Sequence, residues 1–177
     1  MRQYDYDVIV IGGGTAGLGA FRKAKALGKK ALIIEVNDFV TTCANVGCMP
    51  SKLLIAAAEN MESINKSSEF GIDIENVKIN HEVLWNRVRR ERDRFVGFVK
   101  KGAYAIDESE RLIGYAQFTG EHEITVNDKK ITSAVFVIAT GSSPIYLDIF
   151  KDIKKEVLTN ENIFELQKVP ESIAVFG

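Results

Sequence analysis

The stretch Tyr6 to Gly17, YDVIVIGGGTAG, decides the fold of this chain. Its first part, Tyr6 to Ile11, is rich in β-branched residues and predicts a buried strand. The following glycines lead into a helix of small residues that is expected to continue through Leu27 and to end at Gly28. Ala31 to Glu35 predicts a second strand. This order of strand, helix and strand predicts a β-α-β unit in an α/β fold with a parallel sheet.

The glycine turn has the spacing Gly-x-Gly-x-x-Gly at Gly12, Gly14 and Gly17. In this context the first glycine permits a tight turn, the second lets a pyrophosphate approach the backbone, and the third lets the helix pack on the strand. The pyrophosphate would lie at the helix N-terminus. Glu35 suits the hydroxyls of a ribose, and its charge disfavours a 2′-phosphate. These residues predict dinucleotide binding; the alternative is a glycine-rich turn in an ordinary α/β domain.

The chain has two cysteines, Cys43 and Cys48, separated by the residues ANVG. A disulfide that closes so short a loop stabilises a fold only weakly, and a reducing compartment opposes it. A zinc site usually needs four ligands at other spacings, and His81 and His122 are distant in sequence. A redox-active pair is therefore the favoured interpretation, with two unrelated thiols as the alternative.

The backbone around the cysteines has a geometric constraint. Five residues of regular helix rise about 7.5 Å, which exceeds the Cα separation of roughly 7 Å that a disulfide tolerates. A bond between the two cysteines therefore requires a break in the helix, which Gly47 makes easier. Pro50 suits a first helical turn, and Ser51 to Met61 contains strong helix formers. The pair is expected at or near a helix N-terminus, where a thiolate is favoured.

The middle of the chain predicts an irregular polar segment, Ser67 to Asn80, followed by a long helix that Asn80 caps. The apolar face of that helix includes Leu84, Val88, Phe95 and Val99. Its other face mixes arginines and lysines with acidic residues. Such a mixture is typical of a solvated helix surface rather than of a nucleic-acid interface.

From Arg111 onward the pattern changes to short strands. Arg111 to Phe118, Glu123 to Val126 and Ile131 to Ala139 predict an antiparallel meander with a turn at Asn127-Asp128. Within the last of these, Val135 to Ala139 is expected to be a buried strand that returns to the parallel sheet. The stretch Ser172 to Gly177 predicts one further strand.

Composition excludes several classes of protein. With 177 residues and 46% hydrophobic residues, the chain is long and apolar enough for a buried core. A net charge of −1 argues against a partner such as nucleic acid. The early apolar run is too short to span a bilayer, and the first residues lack the pattern of a signal peptide. We therefore expect no membrane association and a cytoplasmic location.

The segment Thr42 to Lys52, TCANVGCMPSK, resembles the active-site segment of the pyridine nucleotide-disulfide oxidoreductases. Within that family it is most similar to the dihydrolipoamide dehydrogenase branch, although mercuric reductases share much of the motif. The resemblance extends over almost the whole chain. It implies that residues 1–170 form a Rossmann-like FAD-binding domain, with a parallel sheet flanked by helices and a short antiparallel β-meander. Residues 171–177 would begin an NAD-binding domain.

The resemblance also implies a role for individual residues. FAD would bind at Gly12, Gly14 and Gly17, with its ribose on Glu35. Other expected cofactor-binding residues are Thr42, Lys52, Ala116, Thr140, Gly141 and Ser142. Cys48 would exchange electrons with the flavin, and Cys43 would exchange with the substrate dithiol. One departure from the family is that Val40 and Thr41 stand where many members have two glycines, which predicts a different path for that loop.

The reaction implied by the resemblance is oxidation of dihydrolipoamide through the cysteine pair and FAD, with NAD as co-substrate. The partner would be dihydrolipoamide or the lipoyl domain of a 2-oxoacid dehydrogenase complex. The chain would be the N-terminal part of a homodimeric enzyme, unable to turn over alone, with its general base elsewhere. Alternatives are a mercuric or other disulfide reductase and, from another class, a non-catalytic nucleotide-binding module.

Overall fold

The computed structural model describes residues 4–176, which divide into two compact units. The first unit contains the residues up to Thr42 together with Val96–Ser143. The second contains Cys43–Phe95 and the residues from Pro144 onward. Buried apolar clusters lie within each unit. Within residues 4–176, no helix is both long and apolar enough to cross a membrane.

The first unit is built on a six-stranded mixed sheet with the spatial order β3-β2-β1-β6-β5-β4. The strands are β1 (Tyr6–Ile11), β2 (Ala31–Glu35), β3 (Arg111–Ile113), β4 (Gln117–Gly120), β5 (Glu123–Val126) and β6 (Lys129–Ile138). The strands from β3 to β6 in that spatial order are parallel, whereas β5 and β4 run antiparallel to their neighbours. The predicted α/β fold, with its parallel sheet and antiparallel meander, is confirmed.

The parallel strands are covered on both faces. Helix α1 (Thr15–Ala26) covers one face, and Gly28, with φ of +71°, follows its end as predicted. The buried residues of this cluster include Val10, Leu18, Phe21, Ala24, Ile33 and Phe39. On the other face, Ile124 and Val126 of β5 pack with Ile9, Leu32 and Ile34. The antiparallel strands thus provide the second cover that a buried parallel sheet requires.

The second unit is helical. Its main helices are α3 (Cys48–Asn65) and the first part of α4 (His81–Tyr104), and most of the short helix α2 (Thr42–Asn45) belongs to it. Short 3-10 turns lie at Ser67–Phe70, Asp148–Ile153 and Ile163–Glu165, and Glu108–Glu110 forms one in the first unit. The buried cluster joins Trp85, Val88 and Phe164 with Leu53, Leu54, Leu84, Ile163 and Leu166. The N–H of Val83 donates to Oδ1 of Asn80 at 3.1 Å, which confirms the predicted cap.

Two predictions about the strands of the first unit were wrong. Arg111 to Phe118 is not one strand of the meander, because Arg111–Ile113 pairs in parallel with β2. The N–H of Gly114 donates to the carbonyl of Glu35 at 2.9 Å, and the chain then turns toward β4. Val135 to Ala139 is not fully buried, since Val135 is 53% and Ile138 is 69% exposed. Only Phe136, Val137 and Ala139 of this stretch reach the two clusters, and the other side chains lie beyond their edges.

The predicted strand at the end of the chain does not form in the described residues. Ser172 to Phe176 is irregular and exposed, and Gly177 lies outside the described residues. A strand needs a neighbour to satisfy its N–H and C=O groups, and no strand among residues 4–176 pairs with this segment. The division of the chain at residue 170 stays a prediction.

Candidate functional site

The glycine loop connects β1 to α1 at the carboxyl ends of the parallel strands, where ligands bind in open α/β sheets. Gly12 has φ of +108°, and a Cβ on it would lie 2.2 Å from the carbonyl oxygen of Ala139. A Cβ on Gly17 would lie 1.8 Å from the carbonyl oxygen of Gly12. Neither position has room for a side chain, because main-chain atoms already fill the space.

Gly14 has the opposite environment. It precedes α1 as the N-cap residue, and nothing lies within 4 Å of a Cβ built on it. The first turn of α1 contains no acidic residue, and no side chain caps its free N–H groups. A helix start of this kind stabilises a phosphate through its N–H groups and its dipole. The open space at Gly14 therefore fits a pyrophosphate, and a side chain there would project into that space.

Glu35 is anchored beside the loop. Its Oε2 accepts the N–H of Gly13 at 2.6 Å, and its Oε1 accepts the N–H of Val36 at 2.8 Å. Oε1 also accepts the N–H of Asn37 at 3.4 Å. A carboxylate has about four acceptor sites, so acceptor capacity for about one ribose hydroxyl remains. The Gly-x-Gly-x-x-Gly spacing did not identify Gly13, although a Cβ on it would lie 2.4 Å from the ring of Phe39. The run of three consecutive glycines was the sequence signal that could have indicated a requirement for glycine at Gly13.

The turn Thr140-Gly141-Ser142 follows β6, next to the glycine loop. The N–H of Ala139 donates to the carbonyl of Ile11 at 2.7 Å, and the main-chain nitrogen of Thr140 lies 3.0 Å from a Cβ built on Gly12. Gly141 has φ of +74°, which favours glycine. Ala116 is half-buried in the connection between β3 and β4. The structure therefore brings the glycine loop, Glu35 and the Thr140 turn together at the carboxyl ends of the neighbouring strands β1, β2 and β6.

The cysteine pair lies where the short helix α2 is followed by the start of α3. Cys43 belongs to α2, and Cys48 is the first residue of α3, so this helix begins before Pro50 rather than after it. The first N–H groups of a helix need no partner within it, so Pro50 fits in the first turn. Gly47, with φ of −130° and ψ of −120°, interrupts the helical backbone between the cysteines, which is the break that a bond between them would require. The hydroxyl of Ser51 donates to the carbonyl of Gly47 at 2.7 Å and closes the turn.

Both thiols are free in the structure, with Cys48 exposed and Cys43 half-buried. A hydrogen bond between the two side chains raises the pKa of the Cys43 thiol above its ordinary value. Partial burial and the charge of Cys48 act in the same direction. Cys43 therefore holds its proton more tightly than an isolated cysteine. Two thiols in such contact form a dithiol that thiol–disulfide exchange can oxidise.

The remaining candidate residues are two exposed side chains and two histidines. Thr42 begins α2, and Lys52 lies in α3 four residues beyond Cys48; both are exposed. Nδ1 of His81 accepts the N–H of Val169 at 3.1 Å, and Nδ1 of His122 lies 3.0 Å from the carbonyl oxygen of Ser133. Both imidazoles thus have structural hydrogen bonds to the main chain.

The basic face of α4 contacts neighbouring segments of the second unit. Arg89 donates to the carbonyl of Leu166 at 3.1 Å, and Arg92 forms an ion pair with Glu165. Arg87 donates to the carbonyl of Leu53 at 3.4 Å. Three of the arginines in this face therefore fasten α4 to neighbouring segments of its own unit.

Comparison with known proteins identifies relatives of this chain. Residues 6–177 match the family described as pyridine nucleotide-disulphide oxidoreductase. The chain is 31% identical to a mercuric reductase of Staphylococcus aureus and 31% identical to a dihydrolipoyl dehydrogenase of Bacillus subtilis (strain 168). It is 32% identical to a mercuric reductase of Bacillus cereus. These alignments cover 99%, 98% and 98% of this chain, but only 32%, 39% and 28% of the lengths of the relatives.

Proposed function

The chain belongs to the pyridine nucleotide-disulphide oxidoreductase family, and from that premise we propose that it carries the FAD site and the redox-active cysteines of an enzyme that oxidises dihydrolipoamide with NAD⁺. The observation that carries the proposal is the hydrogen-bonded pair of Cys43 and Cys48 at the start of α3. The same chain contains a glycine loop whose open face fits a pyrophosphate. An oxidoreductase of this family needs both features.

Most of the residues proposed to hold the cofactor belong to the first unit. The backbone at Gly12, Gly14 and Gly17 would receive the pyrophosphate of FAD, and Glu35 would accept hydrogen bonds from the adenosine ribose. The remaining cofactor contacts would come from Thr42, Lys52, Ala116, Thr140, Gly141 and Ser142. When bound, FAD supplies a two-electron acceptor that takes electrons from a dithiol and delivers them as hydride to NAD⁺.

The cysteines would perform the exchange with the substrate. A thiolate of dihydrolipoamide attacks the Cys43 sulfur of the oxidised pair, forms a mixed disulfide and releases Cys48. The second substrate thiol then displaces Cys43 and closes the disulfide of lipoamide. Two electrons and two protons have passed from the substrate to the cysteines. In the reduced pair, the raised pKa of Cys43 favours its protonated form. The electron-donating role of Cys48 is part of the proposal and follows from the family resemblance.

A general base must come from outside these residues in this proposal. A thiol with a raised pKa needs a base to react quickly near neutral pH. The hydrogen bonds of His81 and His122 give both imidazoles structural roles. The chain spans between 28% and 39% of the length of the relatives described above. We infer that the base, the NAD site and the dimer contacts belong to a longer, cytoplasmic enzyme, and that the 177 residues alone have no turnover.

Reduction of mercuric ion is the second candidate function. Relatives named mercuric reductase match this chain at 31% and 32% identity, as closely as the dihydrolipoyl dehydrogenase does. Mercuric ion would here be the substrate, and soft thiolate ligands such as those of Cys43 and Cys48 suit a soft metal ion.

The two candidates are separated by assays on the longer enzyme that contains these residues. We expect dihydrolipoamide-dependent reduction of NAD⁺, and a loss of at least about a thousandfold in Cys43→Ser and in Cys48→Ser. The matched control is Ser63→Ala on the exposed surface of α3, which should retain full activity. On partial reduction, Cys48→Ser should also lose the long-wavelength flavin absorbance that Cys43→Ser retains.

Full lipoamide activity in both cysteine variants would show that the redox-pair proposal is wrong. Mercuric reduction that depends on the cysteines, without any lipoamide activity, would establish the second candidate instead.

A further inference from the structure

A charged cluster that the proposed chemistry does not use forms around Asp38, which lies in the loop between β2 and α2. The carboxylate of Asp38 pairs with Nζ of Lys100 at 2.6 Å and accepts the hydroxyl of Tyr104 at 3.0 Å. It also accepts the N–H of Phe39 at 2.8 Å. The guanidinium of Arg111 lies over the Tyr104 ring, 4.7 Å from its centroid. Lys100 and Tyr104 belong to the end of α4, so Asp38 fastens the loop to that helix.

This cluster fixes the position of Phe39, the residue that follows Asp38. Its side chain is 0% exposed, and its ring packs edge-on against Tyr104 with the centroids 5.9 Å apart. The same ring also meets the glycine loop, because a Cβ on Gly13 would lie 2.4 Å from Cδ1 of Phe39 and 2.8 Å from its Cε1. The aromatic ring therefore packs directly against the main chain of Gly13.

Gly13 is held by two side chains. Glu35 binds its N–H at 2.6 Å, and Phe39 packs against its Cα. The next residue, Gly14, faces open space. The fixed part of the loop thus immediately precedes the part that would face a ligand. A loop already held in one conformation loses less conformational entropy on binding, which strengthens affinity without a new contact to the ligand.

We propose that Asp38 is a positioning residue, which acts through Phe39 and Gly13 to preset the glycine loop for the pyrophosphate of a dinucleotide. The ligand in this statement rests on the proposed function, whereas the contacts themselves do not. Lys100 and Tyr104 support the role by holding the Asp38 carboxylate. Asp38 touches no ligand in this proposal.

Amide hydrogen exchange of the 177-residue chain without FAD tests the positioning directly. In Asp38→Ala, exchange at Gly13 should become about fivefold faster relative to exchange at Val10, which reports opening of the sheet. The matched control is Asp5→Ala. Asp5 also accepts two hydrogen bonds, from the N–H and the hydroxyl of Thr132 at 2.8 Å and 2.7 Å, but it precedes β1 at the opposite end of the strand. This control should leave the ratio unchanged.

Titration with FAD, followed by quenching of flavin fluorescence, tests the consequence. Asp38→Ala should weaken binding about fivefold, and Asp5→Ala should change it by less than about twofold. Lys100→Met should also weaken binding, and the double variant should be no weaker than Asp38→Ala, because both substitutions remove one shared interaction.

An unchanged Gly13 ratio in Asp38→Ala, or equal weakening of FAD binding by Asp38→Ala and Asp5→Ala, would overturn the proposal. If the chain binds no FAD but Asp38→Ala still accelerates exchange at Gly13, the positioning of the loop stands and the ligand assignment fails.

Discussion

The glycine loop and the cysteine segment are built by different means. At Gly12 and Gly17, main-chain atoms lie within 2.2 Å of where a Cβ would be, so close packing of the backbone determines the residue type. Between Cys43 and Cys48 the helix is interrupted at Gly47, and Cys48 is exposed. Spacing and chemistry of side chains determine the residue type there. In the proposed function, the glycine loop would gain from rigidity as a binding loop, whereas a thiol that exchanges with a substrate would need access.

The largest effect is expected at Gly17, because its surroundings leave no room for any side chain. In Gly17→Ala, the new Cβ would lie 1.8 Å from the carbonyl oxygen of Gly12, and a main-chain atom cannot turn aside as a flexible side chain can. We expect a loss of about 5 kcal/mol in the free energy of unfolding, among the largest effects of a single substitution.

Denaturant unfolding followed by circular dichroism measures the effect at Gly17. The matched control is Gly19→Ala in the same helix, where nothing lies within 4 Å of the new Cβ. The free energy of unfolding of this control should exceed that of the unsubstituted chain by about 0.5–1 kcal/mol, because alanine is the better helix former. Equal stability of the two variants would contradict the steric account of the loop.

The second unit depends instead on a compact apolar cluster around Trp85. This side chain is 2% exposed, and its Nε1 has no hydrogen-bond partner among the described residues. We expect Trp85→Ala to cost about 3 kcal/mol, at the low end of such truncations because the unpaired N–H is removed together with the ring. Trp85→Phe keeps most of the packing, and the free energy of unfolding should change by less than about 1 kcal/mol.

Hydrogen exchange along α3 and denaturant unfolding measure these two changes at Trp85. Phe70→Ala is the control for an exposed aromatic residue, since Phe70 is 80% exposed. A loss in Trp85→Ala no greater than that in Phe70→Ala would show that the cluster does not stabilise the second unit.

The smallest effect concerns the reactivity of Cys43 in the reduced chain. Cys48→Ala removes the hydrogen bond and the charge that raise the pKa of Cys43. The thiolate fraction of Cys43 near neutral pH should therefore increase, and alkylation by iodoacetamide should become about threefold faster. Mass spectrometry of the alkylated peptide measures this rate, with Ser63→Ala as the control. An unchanged or slower reaction in Cys48→Ala would mean that the side chain of Cys48 does not raise the pKa of Cys43.

Local sequence information predicted the first β-α-β unit well. The structure places β1 at Tyr6–Ile11 and β2 at Ala31–Glu35, with a positive φ at Gly28, all as expected. These elements combine an apolar run with glycine at its boundary, so each can be identified within a short window. The cap of α4 at Asn80 follows from an equally local rule.

Pairings between distant segments could not be predicted in the same way. β3 has only three residues, and its register, with Ile113 opposite Glu35, joins positions far apart in the chain. No local pattern distinguishes such a strand from an arm of the meander. The same limit applies to the candidate site. The spacing of Gly12, Gly14 and Gly17 is a local pattern, and it identified those residues. The packing of Phe39 on Gly13 is a tertiary contact without a spacing rule.

The order of the central strands has a consequence for synthesis of the chain. β1 pairs with β2 on one side and with β6 on the other, and Asp5 bonds to Thr132, 127 positions later. At about 5–20 residues per second, one edge of β1 stays without its partner for about 6–25 seconds after it leaves the ribosome. An unpaired apolar strand edge invites pairing with other chains. Translation speed and chaperone binding during this interval should therefore decide how much of the chain folds rather than aggregates.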